Sequence, residues 1–250
     1  MTETTTLSNE RWLRQVTTPL GQARVPCHQC GLESVCEALG GGDKGHVRRG
    51  RIGAGKPLFK AGEPFHGVYA VTAGAIKTVA SLDQGRDQVV EFHFPGDTVG
   101  LEAVDRGAYS YTAQALTETL VCRVAIGPAA LGAGQPALQA ELLRVIGEQL
   151  RHEQSLSILL RQQSAEQRVI TFLLSLAGPS IWARTRGVEL QLPMSRKDIA
   201  NYLGIAVETL CRLFRHLQDT GLIESDGRRV RLLEVDALGA LARPAETRPA

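Results

Sequence analysis

Cys27, Cys30 and Cys36 stand as Cys-x2-Cys-x5-Cys in a short glycine-bearing stretch, the densest group of soft metal ligands in the chain. Thiolates gathered on one loop bind soft and borderline transition metals in preference to magnesium or calcium. Three thiolates and one imidazole make a structural zinc site, for which His28 or His46 supplies the fourth donor. A cubane iron–sulfur cluster takes four thiolates instead. The spacing admits both. Of the remaining cysteines, Cys122 alternates in phase with Leu120 and Val124, in the manner of a buried strand residue. Cys211 lies far along the chain in a basic region. A disulfide framework is not expected. Met1–Asn9 is polar and Thr-rich, with no basic stretch leading into an apolar core, so no secretory leader is expected and the chain is placed in the cytoplasm, where thiols stay reduced.

The stretch from Met194 to Gln218 offers a different chemistry. Ser195 can cap a helix whose inward face is Ile199, Ala200 and Leu203. Gly204 supplies a sharp turn, and Val207 opens a second helix with Leu210, Phe214 and Leu217 inward. This is the pattern of a helix-turn-helix, whose second helix enters the major groove of DNA. Asp226-Gly227, between Leu222-Ile223 and Val230–Leu232, adds a hairpin wing, and Arg228, Arg229 and Arg231 on or beside it are in reach of phosphates. Glu208, Cys211, Arg212 and Arg215 remain outward on the second helix. Arg212 can fork onto a guanine while Glu208 accepts from a cytosine amino group. Four residues apart, the two can also form an ordinary surface ion pair worth about 0.2–0.5 kcal/mol. The turn, the wing and the arginines favour base reading. Ser195, Arg196 and Thr209 complete the candidate DNA-binding set. A net charge of +2 attracts little nucleic acid by itself, so affinity rests on these local clusters.

The elements that must position these groups fall into five regions of the 250-residue chain, enough for two modest domains. Residues 1–45 form an N-terminal segment that carries the cysteine loop and ends in Gly40-Gly41-Gly42. Residues 46–135 are short β-branched runs cut by turns, among them Val68–Val71, Ala75–Val79, Val89–Phe94 and Leu120–Ile126, which predict a β-sandwich or β-roll. Residues 136–164 read as one long helix. Along it Leu143, Ile146, Leu150, Glu153, Ser157 and Leu160 recur at three- and four-residue steps, the seam of a coiled-coil homodimer or of a helix packed on its own domain. Glu153 is the misfit: it either repels its symmetry mate, which would make the dimer conditional, or swings outward or pairs with Arg151 across the interface. Residues 165–236 hold the winged helix-turn-helix, opened by a helix over Ala165–Leu176, and 237–250 read as a tail. No apolar run is long enough to cross a bilayer, and no membrane partner is expected.

Met194-Ser195-Arg196-Lys197-Asp198-Ile199-Ala200-Asn201-Tyr202-Leu203-Gly204 and Val207-Glu208-Thr209-Leu210-Cys211-Arg212 resemble the cyclic-AMP receptor/fumarate-nitrate-reduction (CRP/FNR) family of regulators. Upstream, Leu58–Gly62, Tyr69–Val71, Gly74–Lys77 and Phe92–Asp97 look like its sensor domain. The resemblance covers most of the chain after residue 50 and implies an α+β fold: an N-terminal cyclic-nucleotide-binding-like β-roll, a long dimerisation helix and a C-terminal winged helix-turn-helix. Cyclic-nucleotide members carry an Arg-Ser pair for the phosphate. Here Gly107-Ala108-Tyr109-Ser110 has no arginine, so no cyclic nucleotide is expected.

The cysteine spacing ahead of such a roll looks like the oxygen-sensing FNR branch. That branch carries a [4Fe–4S] cluster, and the resemblance alone makes Cys122 the fourth ligand beside Cys27, Cys30 and Cys36. It implies a homodimer that binds a TTGAT/ATCAA-like palindrome in double-stranded DNA while the cluster is intact, a cluster that oxygen dismantles, and no enzymatic activity. The branch usually has serine where this chain has Cys211, a weaker donor, which puts readout of the neighbouring base in question. The loop Leu82–Gln88, with Asp83, Arg86 and Asp87, is either an RNA-polymerase contact or a solvated hairpin tip. A zinc- or haem-dependent relative is the nearer alternative. An electron-carrying iron–sulfur protein is the more distant one, and it leaves the helix-turn-helix without a role.

Overall fold

The computed structural model describes residues 24–40, 46–82, 86–126, 135–177 and 187–243. Among the described residues eight short strands build the N-terminal roll: β1 (Val47–Ile52), β2 (Pro57–Phe59), β3 (Val68–Ala73), β4 (Ile76–Leu82), β5 (Arg86–His93), β6 (Thr98–Val99), β7 (Thr112–Ala115) and β8 (Thr119–Val124). They pair antiparallel in two four-stranded sheets, ordered β1-β8-β3-β6 and β2-β7-β4-β5. Alternation along β3 and β8 sends Val71 and Val121 into the roll, where Phe59, Tyr69, Ile76 and Tyr109 meet them. Phe59 stacks on Tyr109 with ring centroids 3.7 Å apart, and the Tyr109 hydroxyl donates to the Gly67 carbonyl, so the buried phenol is satisfied.

The opposite face of the first sheet is also covered. Val68, Ala70 and Val124 pack against Leu32 and Val35 from the N-terminal segment and against Leu138, Leu142 and Val145 from the long helix α2 (Pro136–Gln162). Pro136 suits the first turn of α2, where its missing N–H has no intrahelical partner to lose. Gly147 is absorbed within the helix. Leu143 and Leu150 point the other way and stay 70% and 53% exposed. The helix therefore has two apolar stripes, one spent on its own domain and one open. Ile146 is half-buried between them, while the side chains of Glu153, Ser157 and Leu160 lie outside the described residues.

The C-terminal unit is made of α3 (Ala165–Ala177), β9 (Val188–Gln191), α4 (Arg196–Leu203), α5 (Val207–Asp219), β10 (Ile223–Asp226), β11 (Arg229–Leu232) and α6 (Val235–Ala242). The wing has three strands, ordered β10-β11-β9, rather than the two the hairpin signal predicts. Its turn is Gly227-Arg228, since Asp226 already pairs with Arg229. The expected tail from residue 237 is corrected as well: α6 runs to Ala242, with Val235 and Leu238 buried in the same core as Leu173, Leu210 and Phe214. A helix of eight residues rich in alanine carries too little periodicity to be read without the core it covers.

Candidate functional site

The three N-terminal cysteines sit on a tight scaffold. Cys27 opens a 3-10 turn over Cys27–Gln29, and the Cys30 N–H closes it onto the Cys27 carbonyl at 2.9 Å. The Leu32 N–H points at the Cys30 sulfur, 3.4 Å away. Cys36 lies on α1 (Glu33–Ala38), whose Val35 anchors it in the core shared with α2. Cys122 lies on β8 opposite Ala70 of β3 and Arg49 of β1, on the sheet face to which Val68 and Val124 also belong. The cysteine loop packs on that face. Burial, and then the neighbouring Cys30, Cys122 and Cys27 thiols, push the Cys36 thiol up to about 11. All four sulfurs thus share one electrostatic neighbourhood, while the fifth, Cys211, is exposed on α5.

Two kinds of centre take donors of these types. A zinc site draws its ligands to about 2.3 Å from one ion, so its sulfurs converge. Among the described residues no three His, Cys, Asp or Glu side chains converge in that way. A cubane gives each thiolate its own iron corner and so asks for a wider ring of four. The four thiols match that demand in number and type. Were Cys36 to ligate a metal, its proton would have to leave, so loading there would be favoured as pH rises.

The loop is seated by a contact that spacing alone does not reveal. The Gly31 N–H donates to the Gly96 carbonyl at 2.8 Å, and a Cβ on Gly31 would lie 2.7 Å from that oxygen. Any side chain there must push the loop, with Cys30, off the roll. Behind Gly96 sits Asp97, whose carboxyl accepts the Phe94 N–H at 2.7 Å. Burial, opposed by that hydrogen bond and reinforced by Glu91, pushes the Asp97 carboxyl up to about 8. The folded protein then holds a proton that the unfolded chain releases at about pH 4, so this group makes stability fall as pH rises from about 4 to about 8. Asp97→Asn is expected to flatten that slope. Urea unfolding of both proteins at pH 5 and pH 8 checks it, and an unchanged slope would return Asp97 to the ionised state.

The two helices of the helix-turn-helix pack as the sequence predicts. Ser195 caps α4 and forms a capping box with Asp198, and Gly204 turns the chain at φ 65°. Ile199, Ala200 and Leu203 of α4 and Leu210, Phe214 and Leu217 of α5 are buried together. Glu208, Cys211, Arg212 and Arg215 are exposed on α5, and Thr209 is half-buried. Among the described residues Glu208 and Arg212 form no ion pair, so neither is neutralised before DNA arrives.

One DNA-binding candidate is turned inward. Arg196 does not face outward: its guanidinium lies 3.4 Å over the Phe214 ring and donates to Ser225 Oγ at 2.8 Å. It is a strut joining α4, α5 and the wing. Arg229 is engaged by Glu189 at 3.1 Å, whereas Arg228 at the wing tip is exposed. Of the proposed polymerase contacts, Asp83 lies outside the described residues. Arg86 and Asp87 are exposed at the start of β5, with Asp87 accepting from Ser81 Oγ.

Sequence reasoning also missed Lys77. Its ammonium meets Asp198 at 2.6 Å across the two units, with both side chains 17% exposed. Burial raises the Asp198 carboxyl, but hydrogen bonds from Lys77 and Ser195 outweigh it and hold the group below the ordinary carboxylate range. A lone lysine in a strand run carries no sequence signal for such a distant partner.

Comparison with known proteins places this geometry. A family profile described as Crp-like helix-turn-helix domain matches residues 167–241, and one described as Cyclic nucleotide-binding domain matches residues 49–126. Transcriptional activator protein FnrA of Stutzerimonas stutzeri is 36% identical over 229 residues, covering 88% of this chain and 94% of its own. Fumarate and nitrate reduction regulatory protein of Salmonella typhi is 31% identical over 230 residues, covering 89% and 92%. The solved structure of FixK2 from Bradyrhizobium japonicum matches with a TM-score of 0.68 at 30% identity, covering 80% of this chain and 98% of that one.

Proposed function

The chain belongs to the CRP/FNR family of transcription regulators, on its FNR branch, and from that premise we propose that it is an oxygen-responsive regulator governed by a [4Fe–4S] cluster. It binds DNA through its helix-turn-helix and is not an enzyme. The observation that supports the proposal is that Cys30, Cys122 and Cys27 all lie within electrostatic reach of Cys36, which packs with Cys30 against the core that α2 also covers. Cys27, Cys30, Cys36 and Cys122 would hold the cluster, which when bound supplies an oxygen-labile bridge among them.

The chain's own residues link that site to the dimer helix. Leu32 and Val35 pack on Leu138 and Leu142, and Arg144 of α2 donates to Ser34 Oγ of α1 at 2.6 Å. A shift of the cysteine loop therefore bears directly on α2, whose open stripe of Leu143 and Leu150 would meet a second copy. Ile146, Glu153, Ser157 and Leu160 continue that seam, with Glu153 as its weak point. In the dimer Glu208, Arg212 and Arg215 would read palindromic TTGAT/ATCAA-like half-sites, Arg228 would hold phosphate, and Arg86 and Asp87 would face RNA polymerase in the cytoplasm. Among the described residues no helix is long and apolar enough to cross a membrane.

Protein purified without air is expected to carry about four irons and as many acid-labile sulfides per protomer. It should shift a palindromic operator in a gel, and brief exposure to air should bleach its visible absorption and release the DNA together. Stoichiometric zinc without sulfide, or DNA binding indifferent to air, would refute the proposal.

A further inference from the structure

The helix-turn-helix is not simply tethered to the sensor. Among the described residues strand β5 is the outer strand of its sheet, so one of its edges is not covered by another strand. Asn201 of α4 completes that edge: its Oδ1 accepts the Val89 N–H and its Nδ2 donates to the Asp87 carbonyl at 2.8 Å. Gln88 returns a bond to the Asn201 carbonyl at 2.7 Å. One turn earlier, Asp198 uses one carboxylate oxygen for Lys77 of β4 and the other for Ser195, so the group that caps α4 also binds the hairpin. Beneath this polar layer Phe92 of β5 packs against Tyr202 and Phe172, at 5.2 and 6.0 Å between ring centroids. On its other side β5 meets the dimer helix, where Gln149 of α2 donates to the Glu91 carboxylate at 3.1 and 3.2 Å.

We propose that Lys77 and Asn201 are positioning residues for operator recognition, fastening the helix-turn-helix to the β4–β5 hairpin so that the roll sets the separation of the two reading helices. The physical need is plain at the joint between α2 and α3. There Gln163 is extended, with φ −98° and ψ 142°, so continuous helix does not carry orientation across it. The clasp supplies the missing constraint at a second point. It leaves Glu208, Arg212 and Arg215 exposed, so the fastened unit is one that can read. A two-fold operator has half-sites at a set spacing, and a rigidly held pair of reading helices tolerates only that spacing. This inference rests on the reading of the protein as a dimer on a palindrome.

The test uses full-length protein purified without air, wild type against Lys77→Met, Asn201→Ala and the double variant. Each is titrated onto the native palindrome and onto one with two base pairs inserted at its centre. Wild type is expected to lose at least about tenfold in affinity on the insertion, the double variant less than about threefold. Iron content and the salt dependence on the native site should stay as in wild type, since neither residue touches thiol or phosphate. Lys77→Met leaves Asn201 in place and keeps the fold if the double variant does not, and it should show an intermediate spacing penalty. Variants that discriminate the two spacings as sharply as wild type would overturn the clasp, even with uniformly weaker binding. Failure of wild type to bind either palindrome would instead overturn the dimeric reading, and the clasp with it.

Discussion

Cys122→Ser protein purified without air is expected to carry little iron and to lack the visible absorption of the wild type, as are the Ser variants of Cys27, Cys30 and Cys36, whereas Cys211→Ser retains full iron. The contrast follows from placement. Among the described residues Cys122 is the candidate thiol on the roll itself, opposite Ala70 in the sheet and within the electrostatic reach of Cys36. A cubane left with three thiolates has one iron corner open to water and exchange. Cys122 is only partly buried, so the loss of one sulfur costs little packing, and the fold should survive for the comparison. Iron and sulfide per protomer are the measurement. Full iron content in Cys122→Ser would remove it from the ligand set and leave it as sheet filler.

Arg212→Ala is expected to cost about 1–3 kcal/mol on the cognate operator and to relax base preference at one position of each half-site. The side chain is exposed on α5 with no ion-pair partner among the described residues, so nothing else in the chain spends its charge. Arg228→Ala should act differently. Arg228 stands at the tip of the wing, and as a phosphate contact its loss should weaken all sequences alike and lower the salt slope by roughly one. Arg229→Ala should do less than Arg228→Ala, because Glu189 already engages Arg229. Binding curves on cognate and single-substituted operators over a range of salt separate these outcomes. Unchanged specificity in Arg212→Ala alongside altered specificity in Arg228→Ala would exchange their roles.

The local elements were legible because their signals are short-range. Ser195 and Asp198 announce a capped helix start, Gly204 a left-handed turn, and the inward sets of α4 and α5 follow from a 3.6-residue period. The strand runs of the roll were legible from β-branched alternation, and the pattern of the reading helix exposed Glu208 and Arg212 by elimination. Arg196 shows the limit of that method. Periodicity marks a position as outward, but a long side chain can fold back over Phe214 and end inside.

By itself, then, the sequence determined most element types, the grouping of the thiols and the family. Each depends on neighbours a few residues apart or on motifs that survive without coordinates. Only the tertiary structure decided what meets across long separations. It put Cys122 on the same sheet face as a loop about ninety residues earlier and divided α2 into a spent stripe and an open one. It also turned Lys77 and Asn201 into a joint between two units. The physical reason is that a residue's own type sets what it can bond, whereas the partner it finds depends on which surfaces the whole chain must bury.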